Sequence, residues 1–227
     1  MMQPQGLSDD DVDRLASDGY VVRDGFIGAA AMVAMRRELD ALWTQGAFRP
    51  ARVGHRAERR QVDAVRSDRI CWFLVDDDDD DGAADGHDHA AARNEQKNDD
   101  GVVPGPAVSH FVRALRSLAD ELAQACFLPL SQLELHAACY EPGTRYAAHL
   151  DTFHDDDRRL LSLCFYLNDE WQPDDGGLLR LHTAPATDVE PIADRLVIFR
   201  SASMLHEVLP VQRRRFSVTG WLGRRRA

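Results

Sequence analysis

From Pro129 to its end the chain is built of short stretches rich in β-branched and large apolar residues, separated by Pro, Gly and Asp. This texture predicts strands over Leu133 to Tyr140, Leu160 to Leu167, Leu178 to His182, Arg195 to Phe199, Glu207 to Val211 and Phe216 to Leu222. The half before it is helical. Phe111, Leu115, Leu118 and Leu122 form the apolar stripe of a helix over Pro106 to Phe127, and Met32, Met35, Leu39 and Leu42 that of a helix over Ala29 to Trp43. Ser8 reads as the N-cap of a shorter helix, Tyr20 to Phe26 as a strand, and Ile70 to Val75 as another. Helices followed by a run of strands predict an α+β fold whose strands close into a small barrel or jelly roll buttressed by the N-terminal helices.

With 227 residues and 44% hydrophobic content, the chain can bury one good core but not two catalytic domains. We expect a single structural domain, with residues 1–66 as helical support ending in a basic, mobile loop and residues 67–227 as the functional domain. The loop, residues 48–66, carries Arg49, Arg52, Arg56, Arg59, Arg60 and Arg66 against only Glu58 and Asp63. Of the formal net charge of −11, residues 76–100 supply −9 and the rest of the chain −2. That segment is expected to be a disordered acidic insertion, too poor in apolar groups to offset the entropy of ordering it. Its His87 and His89 lack a fixed geometry for metal binding.

The near-neutral remainder gives no support for nucleic acid as a partner, since affinity for phosphates rests on Lys and Arg. No apolar run approaches the ~20 residues of a membrane span, and Met1 to Asp11 has no secretion-signal pattern. Cys71, Cys126, Cys139 and Cys164 show neither zinc-ribbon nor disulfide-scaffold spacing. A cytoplasmic protein with reduced thiols and no membrane partner is expected.

The chemistry concentrates in Tyr140-Glu-Pro-Gly-Thr-Arg-Tyr-Ala-Ala-His149-Leu-Asp151. In extended backbone, residues i and i+2 face the same side, so His149 and Asp151 can reach one ion. The candidate third ligand is His206, at the start of a later strand. Two histidines and a carboxylate on one face of an octahedral ion leave positions for a bidentate 2-oxo acid and for dioxygen, the pattern of non-haem iron(II) oxygenases. Arg215, nine residues after His206, offers a planar bidentate donor suited to the distal carboxylate of 2-oxoglutarate.

Several phrases occur together in order. They are Ser-Asp-Arg-Ile-Cys-Trp at 67–72, Tyr140 through Asp151, Phe-Tyr-Leu-Asn-Asp-Glu-Trp at 165–171, Gly-Gly-Leu-Leu-Arg at 176–180, Asp-Arg-Leu-Val-Ile-Phe at 194–199, His206-Glu-Val, and Arg215 through Trp221. In these the sequence resembles the prolyl 4-hydroxylase superfamily of iron(II) and 2-oxoglutarate dioxygenases, nearest the oxygen-sensing branch and its bacterial relatives. The resemblance implies a double-stranded β-helix with His149, Asp151 and His206 as iron ligands and Arg215 salt-bridged to the co-substrate. It also implies that the Tyr166 hydroxyl holds the same carboxylate, and that Tyr140, Thr219 and Trp221 line the pocket. The spacing from Tyr140 to His149 is one residue shorter than in the animal branch. His136, His154 and His182 match nothing in the pattern and read as surface or packing residues.

The implied reaction couples decarboxylation of 2-oxoglutarate to hydroxylation of a substrate by dioxygen, with ascorbate as reductant. The implied substrate is a proline in a protein or peptide, a translation factor being one candidate. The same chemistry on a free amino acid or other small molecule is the alternative, and a catalytically silent binding module is a third reading. Asp151 speaks against halogenation, for which that carboxylate would be lost. Gly220 and Trp221 stand where a nucleic-acid demethylase would need a further arginine.

Overall fold

A computed structural model describes residues 6–52, 62, 64–75, 101–152 and 157–224. Three helices precede the main run of strands: α1 (Asp9–Ser17), α2 (Ala29–Thr44) and α3 (Pro106–Cys126). The first starts where Ser8 accepts from the Asp11 amide while the Asp11 carboxylate accepts from the Ser8 amide, a reciprocal cap that satisfies two otherwise orphan donors. The third starts with Pro106 at its first position and ends at Phe127, whose left-handed φ of 54° terminates the turn.

The strands are β1 (Tyr20–Asp24), β2 (Arg49–Pro50), β3 (Arg69–Trp72), β4 (Gln132–Tyr140), β5 (Tyr146–His149), β6 (Arg159–Tyr166), β7 (Leu179–Leu181), β8 (Thr187–Val189), β9 (Arg195–Arg200), β10 (His206–Val208) and β11 (Arg215–Gly223). They form a seven-stranded sheet in the order β1-β9-β6-β11-β4-β3-β2 and a four-stranded sheet in the order β5-β10-β7-β8. All the strand pairs are antiparallel. This is the α+β, double-stranded β-helix architecture that the sequence predicts.

The large sheet sorts its side chains with period two. Leu135, Ala137 and Cys139 of β4, Leu161, Leu163 and Phe165 of β6, and Phe216 and Val218 of β11 join one core with Met32, Met35, Leu39, Phe111, Leu115, Leu118 and Leu122 from the helices. Each large side chain so buried contributes roughly 1.5–3 kcal/mol relative to exposure. The alternate residues face the small sheet: Cys164 and Tyr166 pack with Leu179, Leu181 and Phe199, while Ala138 and Tyr140 pack with Val208 and Val211. The helices therefore hold the large sheet from behind and leave its other face for the site.

Several expectations are corrected. The segment read as a mobile loop, residues 48–66, is anchored at both ends. Phe48 and Ala51 are buried, Arg49 and Pro50 pair with β3, and Arg66 forms a bridge to Tyr146. Arg56, Arg59 and Arg60 lie outside the described residues, as do His154 and the acidic segment 76–100. The strand expected over Ile70 to Val75 stops at Trp72, because Phe73 turns to bridge Val102. Tyr146–His149, Thr187–Val189 and Arg49–Pro50 are strands that the sequence pattern missed. They are only two to four residues long, too short for alternation to register.

Candidate active site

A cavity of about 540 Å³ opens between the two sheets, and His149, Asp151, His206, Arg215, Tyr140, Thr219 and Trp221 all line it. His149 closes β5 and His206 opens β10, and these two residues face each other across the strand pair. Asp151 follows in a bend after β5 and is buried. His149 Nε2 lies 3.5 Å from Asp151 Oδ1, and His206 Nε2 lies 3.6 Å from Asp151 Oδ2. The three donor atoms lie within 4.8 Å of one another.

Each imidazole is oriented by its other nitrogen. His149 Nδ1 is 2.9 Å from the Ala147 carbonyl and His206 Nδ1 is 2.9 Å from the Met204 carbonyl. An Nδ1–H donated to a backbone carbonyl fixes the tautomer that leaves the Nε2 lone pair free to ligate a metal. Burial lowers the His206 pKa, which favours the neutral, ligating form. Asp151 is oriented too: Oδ2 accepts from Ser162 Oγ at 2.6 Å, and Ser162 is in turn 2.9 Å from Ser201 Oγ. Burial alone would raise the Asp151 carboxyl pKa, but the two imidazoles and Ser162 outweigh it and hold it well below the usual carboxylate range.

The donor set fits a first-row ion. Metal–ligand bonds of about 2.0–2.2 Å require donors to lie within about twice that distance of one another, as these do to within a few tenths of an ångström. Two neutral imidazoles and one carboxylate, all on one side, suit octahedral iron(II) with open positions. Two of the three ligating side chains, Asp151 and His206, are buried, and His149 is partly exposed.

The other end of the cavity is cationic. Arg215 is 3% exposed, its Nη1 donates to Ser217 Oγ at 3.2 Å, and its Nε has no partner. Its guanidinium carbon lies 5.0 Å from the Tyr140 ring and 4.9 Å from the Tyr166 ring. It meets no carboxylate among the described residues. A buried guanidinium left with unfilled donors is costly, so this end is built for an anion. Tyr166 is fully buried against Arg215 and does not itself line the cavity, yet its hydroxyl has no hydrogen-bond partner either. Burial pushes its phenol pKa up, keeping the proton available for donation.

Asn168 sets the approach of Arg215. Its side-chain oxygen accepts from the Phe216 amide at 2.7 Å, while its side-chain nitrogen donates to the carbonyls of Phe216 and Pro191. This pins the first turn of register on β11, after which Arg215, Ser217, Thr219 and Trp221 point inward. Gly177, with φ of +73°, passes close beneath Arg215, since an added Cβ there would lie 2.8 Å from Arg215 Cδ.

Three side chains in the wall escaped the sequence reading. Arg66, expected on a mobile loop, is half-buried in a bidentate pair with the buried Asp68 at 2.7 and 2.9 Å. Its guanidinium sits 4.6 Å over the Tyr146 ring, which in turn stacks on His149 at 3.6 Å. Arg159 is held by Glu134 and lies 3.6 Å over the Trp221 ring, with Nη1 3.4 Å from the Asp151 carbonyl. His136, expected to be a surface or packing residue, is 1% exposed in the cavity wall. Its ring packs against Trp72 and Trp221, with centroids at 4.8 and 5.3 Å, and the two indoles are themselves 6.1 Å apart. Neither nitrogen has a hydrogen-bond partner among the described residues. The signal that would have found it is parity: His136 lies four residues before Tyr140, on the same face of β4. By contrast His182, paired with Glu207 at 3.2 Å, is exposed, a surface residue as expected.

Residues 135–223 match the 2OG-Fe(II) oxygenase superfamily. A prolyl-4-hydroxylase from Pseudomonas putida is similar over 96% of this chain and 98% of its own, with 35% identity and a TM-score of 0.74. A hypoxia-inducible factor prolyl hydroxylase of Caenorhabditis elegans is 31% identical over 211 residues, 89% of this chain and 26% of its own length. A prolyl hydroxylase of Trichoplax adhaerens, solved with a hypoxia inducible factor oxygen degradation domain peptide, shares the fold at 23% identity, with a TM-score of 0.73 over 94% of this chain and 87% of that one. The chain spans only 26% to 54% of the length of the curated relatives it matches first. On the strength of near end-to-end similarity to the Pseudomonas putida enzyme, in sequence and in fold alike, the chain belongs to the prolyl hydroxylases of the 2OG-Fe(II) oxygenase superfamily.

Proposed function

We propose that the protein is an iron(II)- and 2-oxoglutarate-dependent dioxygenase that hydroxylates C4 of a proline in another protein or peptide. The observation that carries this reading is one cavity with two complementary ends. His149, Asp151 and His206 converge at one, and Arg215, with unfilled donors, is buried at the other. Iron(II) would be held by the three converging side chains. Arg215 would take the distal carboxylate of 2-oxoglutarate, with Tyr166 donating to the same group and Tyr140 and Thr219 flanking it. When bound, the metal and co-substrate supply the oxidising power: dioxygen is consumed, 2-oxoglutarate becomes succinate and carbon dioxide, and one oxygen atom enters a substrate C–H bond.

The protein's own contribution is positioning. Ser162 and Arg159 hold Asp151, the Ala147 and Met204 carbonyls hold the two imidazoles, and the walls keep water from the reacting carbon. Leu150 and Leu205, each next to a ligand, are exposed and offer apolar contact to an incoming chain. Arg49, Arg52 and Arg66 line the same cavity, which suits an extended, partly acidic peptide. Ascorbate would serve as reductant. The four cysteines, all free thiols, accord with a reducing compartment such as the cytoplasm.

The direct test is mass spectrometry of lysate proteins incubated with the enzyme or with its Asp151→Ala variant, translation factors being examined first. A gain of one oxygen on proline, seen only with the active enzyme, supports the proposal. Oxidation confined to free metabolites would replace it with small-molecule hydroxylation.

A further inference from the structure

His136 has no task in the mechanism so far, yet its environment is that of a binding group. The imidazole packs against both indoles, tilted 44° from Trp72 and nearly parallel to Trp221 at 26°, so its orientation is set by them. It lines the cavity and both of its nitrogens lack partners among the described residues. The unpaired atoms of Arg215 and Tyr166 share that condition, and in their case a carboxylate would satisfy it. A histidine placed only to fill space beside Trp72 and Trp221 would leave two polar atoms unsatisfied where an apolar side chain would leave none.

The ladder fixes where His136 stands relative to Arg215. The Arg215 guanidinium bends along β11 to Ser217, so its charge lies at the level of the Ser217–Ala138 pair. His136 pairs with Thr219, two residues further along. At an antiparallel rise of about 3.4 Å per residue, that separation is roughly 7 Å. It is comparable with the distance between the two carboxylates of an extended five-carbon diacid. The direction is also right: beyond Thr219 and Trp221 the ladder reaches Ser162, which holds Asp151. Burial, with Arg66 and Arg159 nearby, disfavours protonation of the ring, so the ring donates as a neutral imidazole.

Resting on the reading of the cavity as a 2-oxoglutarate site, we propose that His136 is the second protein anchor of the co-substrate. It donates a hydrogen bond to the carboxylate next to the keto group while Arg215 holds the far one. The diacid is thereby fixed at both ends by the protein, independently of what the metal contributes.

The test is calorimetric titration of 2-oxoglutarate into the Mn(II)-loaded protein without oxygen, alongside Mn(II) titration of the apoprotein. His136→Met keeps the volume and removes both nitrogens, while His136→Gln keeps a donor. We expect about ten- to a hundredfold weaker 2-oxoglutarate binding in His136→Met, the loss of one hydrogen bond to a charged group. Mn(II) affinity should stay unchanged and His136→Gln should recover part of the loss. Imidazole nitrogen resonances of the Zn(II)-loaded wild-type protein provide a second measurement that needs no apolar variant. One resonance, absent from His136→Gln, should move with 2-oxoglutarate and not with pentanoate, which offers Arg215 a carboxylate but has none for His136. Undiminished binding by His136→Met, or a His136 resonance indifferent to 2-oxoglutarate, overturns the proposal while leaving the co-substrate reading intact. Failure of the wild-type protein to bind 2-oxoglutarate at all overturns both.

Discussion

Three side chains and one guanidinium carry the proposed chemistry, and each has a distinct failure mode. Replacing His149, Asp151 or His206 by alanine removes one of three converging donors from a strand pair or bend that is otherwise held by backbone bonds. Iron(II)-dependent succinate formation should be lost in all three variants while circular dichroism changes little, and undiminished turnover in any of them would refute its assignment as a ligand. Arg215→Lys should raise the 2-oxoglutarate requirement about ten- to a hundredfold with iron affinity nearly unchanged, because a compact ammonium cannot make the bidentate contact. His136 adds a pH signature. Its folded pKa is depressed well below 6.5, chiefly by burial, so the unfolded chain binds the proton first as pH falls. The neutral ring thus costs up to about 1.4 kcal/mol of stability per pH unit below pH ~6.5. Denaturant titrations at pH 7 and pH 5 should show His136→Met losing less stability on acidification than the wild type. At this scale the H-x-D pair, His206 and Arg215 were readable because ligand type and strand parity constrain them tightly. His136 was not, because its meaning depends on sharing a face with Tyr140 and on packing against Trp72 and Trp221, one of them brought in by β3 and the other by β11.

Among the elements, β11 matters most: it pairs with both β4 and β6, presents Arg215, Ser217, Thr219 and Trp221 to the cavity, and is pinned by Asn168. The long helices and long strands were legible from periodicity, since an apolar stripe over α3 or an alternation over β6 repeats often enough to be distinctive. Strand β5, which carries His149, was not, because Tyr-Ala-Ala-His is four residues long with two small side chains in the middle. The anchoring of Arg49 and Arg66 was hidden by their charge, which reads as solvated until Asp68 and β3 supply partners. Gly177→Ala tests how the approach to β11 shapes the site. The positive φ disfavours any Cβ, by about 1–2 kcal/mol, and the new atom would meet Arg215 Cδ at 2.8 Å and Val211 Cγ2 at 3.1 Å. A lowered Tm together with weaker 2-oxoglutarate binding is expected. A lowered Tm with unaltered binding would show that Arg215 does not depend on that contact.

On the scale of the whole molecule, most of the net charge lies in residues 76–100, outside the described residues. The two sides of this segment are tied together independently of it: the Leu74 amide donates to the Val102 carbonyl and the Val102 amide to the Trp72 carbonyl, both at 2.9 Å. Excising residues 82–100 should therefore leave a folded protein with intact 2-oxoglutarate turnover in the absence of substrate, and loss of soluble protein would show that the segment supports the fold. The measurement that bears most directly on the central claim is aerobic conversion of 2-oxoglutarate by the purified full chain with iron(II) and ascorbate, run beside the Asp151→Ala variant. Succinate should accumulate with the wild type, stop when iron is chelated, and be absent with Asp151→Ala. No succinate from the wild type, or equal amounts from both proteins, would contradict the assignment of this cavity as an iron(II) and 2-oxoglutarate centre.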